Sequence, residues 1–428
     1  MFQSCAAGDK LEAEIRISPG NRLILKGMTR IRVTLVSTSY PLAEHESSGV
    51  FVSRLVEYFP DNSFAFVVTP AVRGGRSRLQ KDKFEVLPFN YAPDRWQVLA
   101  HKPGGIPVAL KNNKWLYFLV PSLLIFMFIA CYRAAKKSDL IHANWAICGC
   151  ISGVVGKLLK CPVVTTLRGD DVTRAKTSSL DRLILTNCIR LSTCVVTVSQ
   201  DMEAWILDNY PWCKGKVRVV TNGVEDAFLE IGEKRIAKRV DAVCTLITVC
   251  SLIPRKGVDV IIKALAKIRD IPGISLKIVG SGPEEDKLRD LVKIYSLDNN
   301  VQFLGTRVPS EIPGLLASSD VFILASASEG RPNAVLEAMA ASMPVIAPRI
   351  EGVTEIIKNN ENGILFEPQN SDHLASCISR LCADNIFCAK LGCAAYGFVL
   401  RNRLLWSETA KRYFDVYKEA MKATNENR

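Results

Sequence analysis

The chain has 428 residues, too many for one ordinary core, and 48% hydrophobic with 23% charged residues describes globular rather than disordered material. Its net charge of +12 is uneven: residues 1–230 carry 29 Lys and Arg against 20 Asp and Glu, the remainder 26 against 23. A basic first half suits phosphate-bearing ligands or an anionic membrane, and the absence of a recognised reading motif argues against nucleic acid.

In chain order, residues 1–27 alternate charges where a signal peptide needs an apolar core, so they read as an extension outside the packed fold. The strand-like run "IRVTLVS" follows Met28, and "FAFVVTP", "DLIHAN", "PVVTTL", "TCVVTV" and "VRVV" follow it, with helix-like segments at 49–59, 147–159 and 179–191. Residues 115–132 contain no charge. Pro121 favours a helix start there, leaving about eleven apolar residues before Arg133, short of the roughly twenty a span needs. This predicts a buried or surface-docked helix.

The polar stretch near 226–242 then interrupts the rhythm, which resumes with "VCTLITVC", "SLKIVG", "VQFLG", "DVFILA" and "MPVIAP". Continuous apolar strands alternating with helices predict parallel sheets covered on both faces. The organisation expected is a first doubly wound α/β domain over 28–230, a linker at 231–242, a second over 243–400, and an amphipathic helix in 401–428 returning to the first. Ligands belong where strand ends face the cleft. The 14 cysteines show no metal or disulfide spacing and read as reduced thiols of a cytosolic protein, some of it resting on the membrane's inner face if the basic half docks there.

The stretch "SASEGRPNAVLEAMAA" places Glu329 in a turn and Glu337 in the helix that follows, with Asn333 as the expected N-cap. On one helix the two carboxylates would lie about 12 Å apart. Because Gly330 and Pro332 break the turn, they can instead bracket one ligand. Carboxylates accept paired hydrogen bonds from vicinal diols, and a helix N-terminus favours an anion, so a nucleotide sugar suits both. The bland reading, Glu337 complementing the helix dipole and Glu329 solvated, leaves Arg331 unexplained.

In "VCSLIPRKGVDVII", Arg255 and Lys256 sit at a helix start the dipole makes unfavourable for cations unless an anion arrives. Gly49, where "ESSGVFVSRL" turns into a helix, would let a phosphate approach the backbone, a weak signal alone. His142, Asn144, Trp145, Arg168, Asp170 and Asp171 follow strands in "DLIHANWA" and "TTLRGDD", and Arg168 is a candidate phosphate or acceptor contact. A lone His142 is more often structural than catalytic. No metal motif is present.

Taken together, "EGRPNAVLEAMAASMPVIA", "SLIPRKGVDVII", "IVGSGPEEDKL", "HANWA", "TTLRGDD" and "TNGV" resemble retaining glycosyltransferases of family 4, with two Rossmann-like domains in a GT-B fold, over nearly all of residues 30–425. "FNYAP" and "HANWA" are most similar to the branch that builds bacterial surface polysaccharides. The resemblance implies that Glu337 binds the ribose diol and Glu329 the sugar hydroxyls. It also implies that Gly330, Arg331, Pro332, Asn333, Val335 and Leu336 line the donor site, with Gly49, Ser251, Arg255 and Lys256 about the diphosphate. The catalytic set it implies is Glu329, Lys256, Asp171 and Arg168. His142, Asn144, Trp145, Arg168 and Asp170 fall to the acceptor side, and no cofactor or metal is expected.

Ser251 stands where an arginine is frequent, Arg168 where a histidine is usual, and Ser342 and Glu351 where glycines are common. The implied partners are a UDP- or GDP-sugar and a glycan or glycolipid acceptor, with an anionic membrane near residues 72–83 a candidate. An epimerase of the same architecture, or a degenerate nucleotide-sugar-binding subunit, remains open at this point.

Overall fold

The computed structural model describes residues 30–42, 49–74, 79–101, 105–237 and 245–426; the extension expected at 1–27 and residues 238–242 of the expected linker lie outside them. The first lobe is an eight-stranded sheet. In chain order its strands are β1 (Ile31–Val36), β2 (Ser63–Pro70), β3 (Leu79–Gln80), β4 (Phe84–Phe89), β5 (Leu140–Asn144), β6 (Val163–Leu167), β7 (Cys194–Thr197) and β8 (Val217–Val219). Their spatial order is β3-β4-β2-β1-β5-β6-β7-β8.

The second lobe is a six-stranded sheet of β9 (Thr245–Val249), β10 (Ser275–Val279), β11 (Val301–Gly305), β12 (Val321–Ile323), β13 (Val345–Pro348) and β14 (Ile364–Phe366), ordered β11-β10-β9-β12-β13-β14. Every pairing is parallel except the short β3–β4 ladder. This is the doubly wound α/β architecture the strand rhythm predicted.

Both sheets are covered on two faces, so β6 and β13 are buried along their whole length. Three strands escaped the sequence reading, the two-residue β3 among them. β4 contains Pro88, which is tolerated near a sheet edge, and β14 is three residues long.

The expected linker differs too. Residues 231–237 are helical, within Asp226–Ala237, and that helix belongs to the second lobe. Phe228 enters the second lobe's core, and Arg235 donates to the carbonyls of Ala341, Leu316 and Ser319. The chain crosses between lobes just before this helix. Val224 bridges to Leu405, so the outgoing and returning crossings run side by side. The return leads into the helix Trp406–Glu426, whose Trp406, Tyr413, Phe414 and Tyr417 join Phe59, Val33 and Val164 in the first lobe's core.

The helix Val120–Ala135 starts beside Pro121 and buries Leu123, Met127 and Cys131 against Val36, Val68 and Ile141. By length and composition Lys114–Ala135 is long and apolar enough to cross a membrane, yet withdrawing it would uncover the sheet. Ser342 occupies φ 54°, the left-handed region, which gives a backbone reason for the glycine common at that place. The cysteines among the described residues are free thiols.

Candidate functional site

Loops that follow strand ends in both lobes meet between them. In the second lobe, β12 leads through Ser326–Arg331 to the helix Asn333–Ala340, and β9 leads through Ser251 to a short 3-10 turn, Pro254–Lys256. The Lys256 ammonium lies 2.5 Å from Glu329 Oε1, and the Glu329 side chain is only 9% exposed. Burial alone would raise that carboxyl, but the Lys256 charge and hydrogen bond, with Ser326 and Arg255 adding, together outweigh it and hold it below the usual range. The pair therefore sits as a fixed dipole beside a helix N-terminus, where the Val335 and Leu336 amides return to the Pro332 carbonyl and those of Asn333 and Ala334 have no partner within the helix.

Glu337, one turn further on, meets the opposite environment. Burial, with the nearby Glu225 carboxylate adding, pushes its carboxyl up to about 7 against the pull of Arg54. Arg54 itself lies 2.7 Å from Glu225 and 2.8 Å from Glu57, reaching from the first lobe's helix Val50–Glu57 to the crossing segment.

From the first lobe, Arg168 enters the same region. Its Nε and Nη2 donate to Asn144 Oδ1 at 3.1 and 2.7 Å, its Nη1 donates to Asn222 Oδ1 at 2.8 Å, and its guanidinium lies 4.5 Å from the Phe51 ring centroid. Asn222 then donates to Asn333 Oδ1 at 2.9 Å, so a continuous hydrogen-bonded path runs from the end of β5 to the start of the second lobe's helix. Trp145, next to Asn144, is held at φ 69° and ψ 152°, strained backbone for a side chain of that size, with its ring edge-on to Phe51. Asp170 reaches across to Arg255 at 3.2 Å.

Glycines let the lobes touch. A Cβ on Gly169 would fall 2.6 Å from Gly330 Cα, and one on Gly330 would fall 2.7 Å from Gly169 Cα, closer than side-chain carbons approach. The cavity beside this contact, lined by Gly169, Val172, Met202, Glu329 and Gly352 among others, is about 20 Å³, room for a water and not for a sugar. Lys176 with Glu351 (2.5 Å) and Asp201 Oδ2 with the Gly352 amide (3.0 Å) close the same flank.

Several expected site residues are elsewhere or otherwise employed. His142 is fully buried in β5; its Nε2 meets Thr166 Oγ1 and its Nδ1 meets the Tyr417 hydroxyl, each at 2.8 Å. Burial, with Arg168 nearby, lowers it to about 3, so it is a neutral core residue and not an acceptor contact. Asp171 accepts from the backbone amides of Ala146 (2.9 Å) and Arg168 (3.2 Å), tying two loops together rather than facing a ligand.

Val335 and Leu336 are fully buried in the second lobe's core, so their side chains line nothing in the cleft. The Arg331 side chain, 6% exposed, turns away to Glu355 at 3.4 Å; that pair, and not a ligand, accounts for the cation at the helix start. Pro332, not Asn333, holds the N-cap position, which frees the Asn333 amide to span the lobes. Gly49 sits at φ 78°, and a Cβ there would meet the Ser39 carbonyl at 2.3 Å, so its own loop demands glycine whatever a phosphate requires. Ser251 lies half-buried in the β9 loop.

The sequence reading overlooked Asn222, Arg54 and Glu225. Asn222 follows a strand in "TNGV" and Arg54 lies one turn past Gly49, but neither position announces which lobe it will face.

The comparisons with known proteins agree with this geometry. Residues 109–228 match the family described as Glycosyltransferase Family 4, and residues 233–398 match Glycosyl transferases group 1. An uncharacterized glycosyltransferase of Methanocaldococcus jannaschii is 28% identical over 346 residues, 80% of this chain and 91% of that protein.

Among solved structures, the sucrose-phosphate synthase of Thermosynechococcus elongatus superposes with a TM-score of 0.75 at 22% identity, covering 92% of this chain and all of that one. The Anabaena protein HepE, solved with UDP-glucose, gives 0.71 at 20% identity over 91% of this chain and all of its own. Two adjoining matches that divide where the lobes divide, on two doubly wound sheets whose loops meet at one cleft, place this chain among the group 1, family 4 glycosyltransferases of GT-B fold.

Proposed function

We propose that this glycosyltransferase moves a hexose from a UDP- or GDP-sugar, with retention at the anomeric carbon, to a growing lipid-linked surface glycan on the cytoplasmic side of a membrane. One observation carries the reading of the site: the Lys256–Glu329 pair at 2.5 Å beside the N-terminus of Asn333–Ala340, which Asn333 joins to Arg168 of the opposite lobe through Asn222. A diphosphate would take its counter-charge from Lys256 and from the first-turn amides. The second oxygen of Glu329 would accept from a sugar hydroxyl, and Glu337 from the ribose diol. Arg168 uses three of its five N–H groups on asparagines, which fixes its plane and leaves the others for an anion.

In the transfer, the bond between the anomeric carbon and the diphosphate oxygen breaks while the acceptor oxygen forms its bond on the same face. The acceptor proton passes to the departing phosphate oxygen. The cationic cradle acts on charge that grows as the diphosphate leaves, so it stabilises the transition state more than the ground state. Glu329 orients the sugar and is not the nucleophile. The UDP-glucose complex of the Anabaena protein favours a uridine donor for this chain.

A thermal-shift screen across UDP-, GDP- and ADP-sugars tests the donor, and the anomeric coupling constant of the product tests retention. Lys256→Ala and Glu337→Ala should weaken donor binding, whereas Glu329→Ala should lower turnover more. Unaltered activity in all three would reject the assignment.

A further inference from the structure

Between Gly105 and Ser138 the chain carries Lys111, Lys114, Arg133, Lys136 and Lys137 and no acidic residue. The same stretch leaves its largest apolar side chains in solvent. Trp115 and Phe118, in contact at 5.8 Å between ring centroids, are each 76% exposed, and Tyr117, Ile125 and Phe126 are exposed as well. Ile125, Phe126 and Ile129 recur at helical spacing along the helix Val120–Ala135, opposite the face that Leu123 and Met127 bury, and Phe118 in the preceding 3-10 helix Lys114–Leu119 extends that apolar surface. A contiguous apolar stripe of this kind on a soluble surface marks an interaction site.

We infer that this stripe lies in the plane of an anionic bilayer, with its cations on the headgroups. Three features select that occupant. Trp and Tyr concentrate at the tip, where amphipathic rings favour the interface. Lys111 and Lys114 stand at one end of the stripe and Arg133, Lys136 and Lys137 at the other, matching a negatively charged plane rather than a discrete partner. A groove of about 630 Å³ continues the apolar surface between the helix and β4, floored by Phe66, Leu87 and Phe89 and flanked by Arg133 and Lys137, with Glu85 also on its wall.

Within the basic stretch at 72–83, where docking was expected, Lys83 is paired with Asp61 at 2.8 Å, and residues 75–78 lie outside the described residues.

The location has a consequence. The segment follows the carboxyl end of β4 and runs back to the start of β5, so Trp115 and Phe118 project at the sheet edge that also bears Gly49, Asn144 and Arg168. A membrane held there would offer a lipid-linked hydroxyl at the mouth of the cleft. The docking itself is independent of the transfer reaction; only this last consequence rests on the proposed acceptor.

Flotation of the full chain with vesicles of phosphatidylcholine alone, or with about a third phosphatidylglycerol, tests the inference. The wild type should float with the anionic vesicles and be released by a carbonate wash. A W115S/F118S variant should bind them at least about tenfold more weakly, and a K136Q/K137Q variant about fivefold more weakly per charge removed, with the salt dependence reduced. Both variants should keep wild-type thermal stability and UDP-sugar affinity, because these residues lie outside the donor site. A wild type that does not float, or a W115S/F118S variant that floats equally, overturns the docking. So does a wild-type dimer that W115S/F118S dissolves, which would assign the stripe to a second copy, and so does retention after carbonate, which would make the helix a span. Loss of UDP-sugar binding in the wild type would instead count against the proposed function.

Discussion

The two lobes bring polar residues to one cleft but use them differently. In the second lobe, Lys256 and Glu329 answer each other across a loop, and the helix end beside them has amides to offer. In the first lobe, the polar residues at the strand ends are largely consumed internally: His142 by Thr166 and Tyr417, Asp171 by two backbone amides, Arg168 by Asn144 and Asn222. The contrast is between a lobe that sets charged groups at the cleft wall and a lobe whose polar groups hold its own loops in place. Burial separates these roles, since a group inside the sheet must satisfy its hydrogen bonds with protein neighbours, whereas a group at the cleft wall can await a ligand.

The comparison can be broken most severely at Lys256. Lys256→Ala removes the cation meant for the diphosphate and strands a buried carboxylate, so kcat/KM should fall by about 10²–10³, with Lys256→Arg recovering part of the loss. Steady-state kinetics with the preferred donor would show this. An effect below tenfold would erase the distinction drawn for the second lobe.

Arg168→Ala should be milder for catalysis and harsher for stability. It leaves Asn144 and Asn222 without their partner and severs the path to Asn333, at a cost of about 1–3 kcal/mol. A fall in Tm with about a tenfold loss of kcat/KM is expected; an unchanged Tm with abolished turnover would make Arg168 a direct participant.

Glu337 sharpens the comparison through pH. Its carboxyl titrates at about 7, so it is half protonated near neutrality and ionises as pH rises. The ionised form is the better acceptor for a diol. Donor affinity, measured calorimetrically, should therefore improve several-fold from pH 6 to pH 8, as two hydrogen bonds to a charged acceptor warrant. Glu337→Gln should flatten that profile at the weaker level. The smallest effect on activity is expected at His142. His142→Leu should lower Tm by several degrees, because Thr166 and Tyr417 lose buried partners, yet leave kcat within about twofold.

Much of this arrangement is legible in the sequence. The strand rhythm identifies both sheets, and the turn chemistry around Glu329 and Lys256 identifies the loops that meet. The strand β4 was obscured by Pro88, which reads as a breaker in isolation and is harmless beside a short edge pairing. Residues 231–237 of the helix Asp226–Ala237 read as a linker because the charge count of that helix conceals two anchoring side chains: Phe228 enters the core and Arg235 caps distant carbonyls. His142 and Asp171 were drawn into the site because they follow strands near polar neighbours. Position along a strand does not reveal whether a side chain points to the cleft or into the sheet's covered face.

What the sequence by itself determined is local: periodicity, turns, helix starts and the residue types able to hold a diphosphate and a diol. Those follow from backbone geometry and side-chain chemistry within a few residues of each position. The tertiary structure decided which of them act together. The Lys256–Glu329 pair spans 73 positions, the Asn222–Asn333 bridge 111, and the Tyr417–His142 hydrogen bond 275. Electrostatics and burial depend on distance in space, so the depressed Glu329 carboxyl and the raised Glu337 carboxyl, eight residues apart, arise only once the folded chain supplies a lysine to one and burial beside Glu225 to the other.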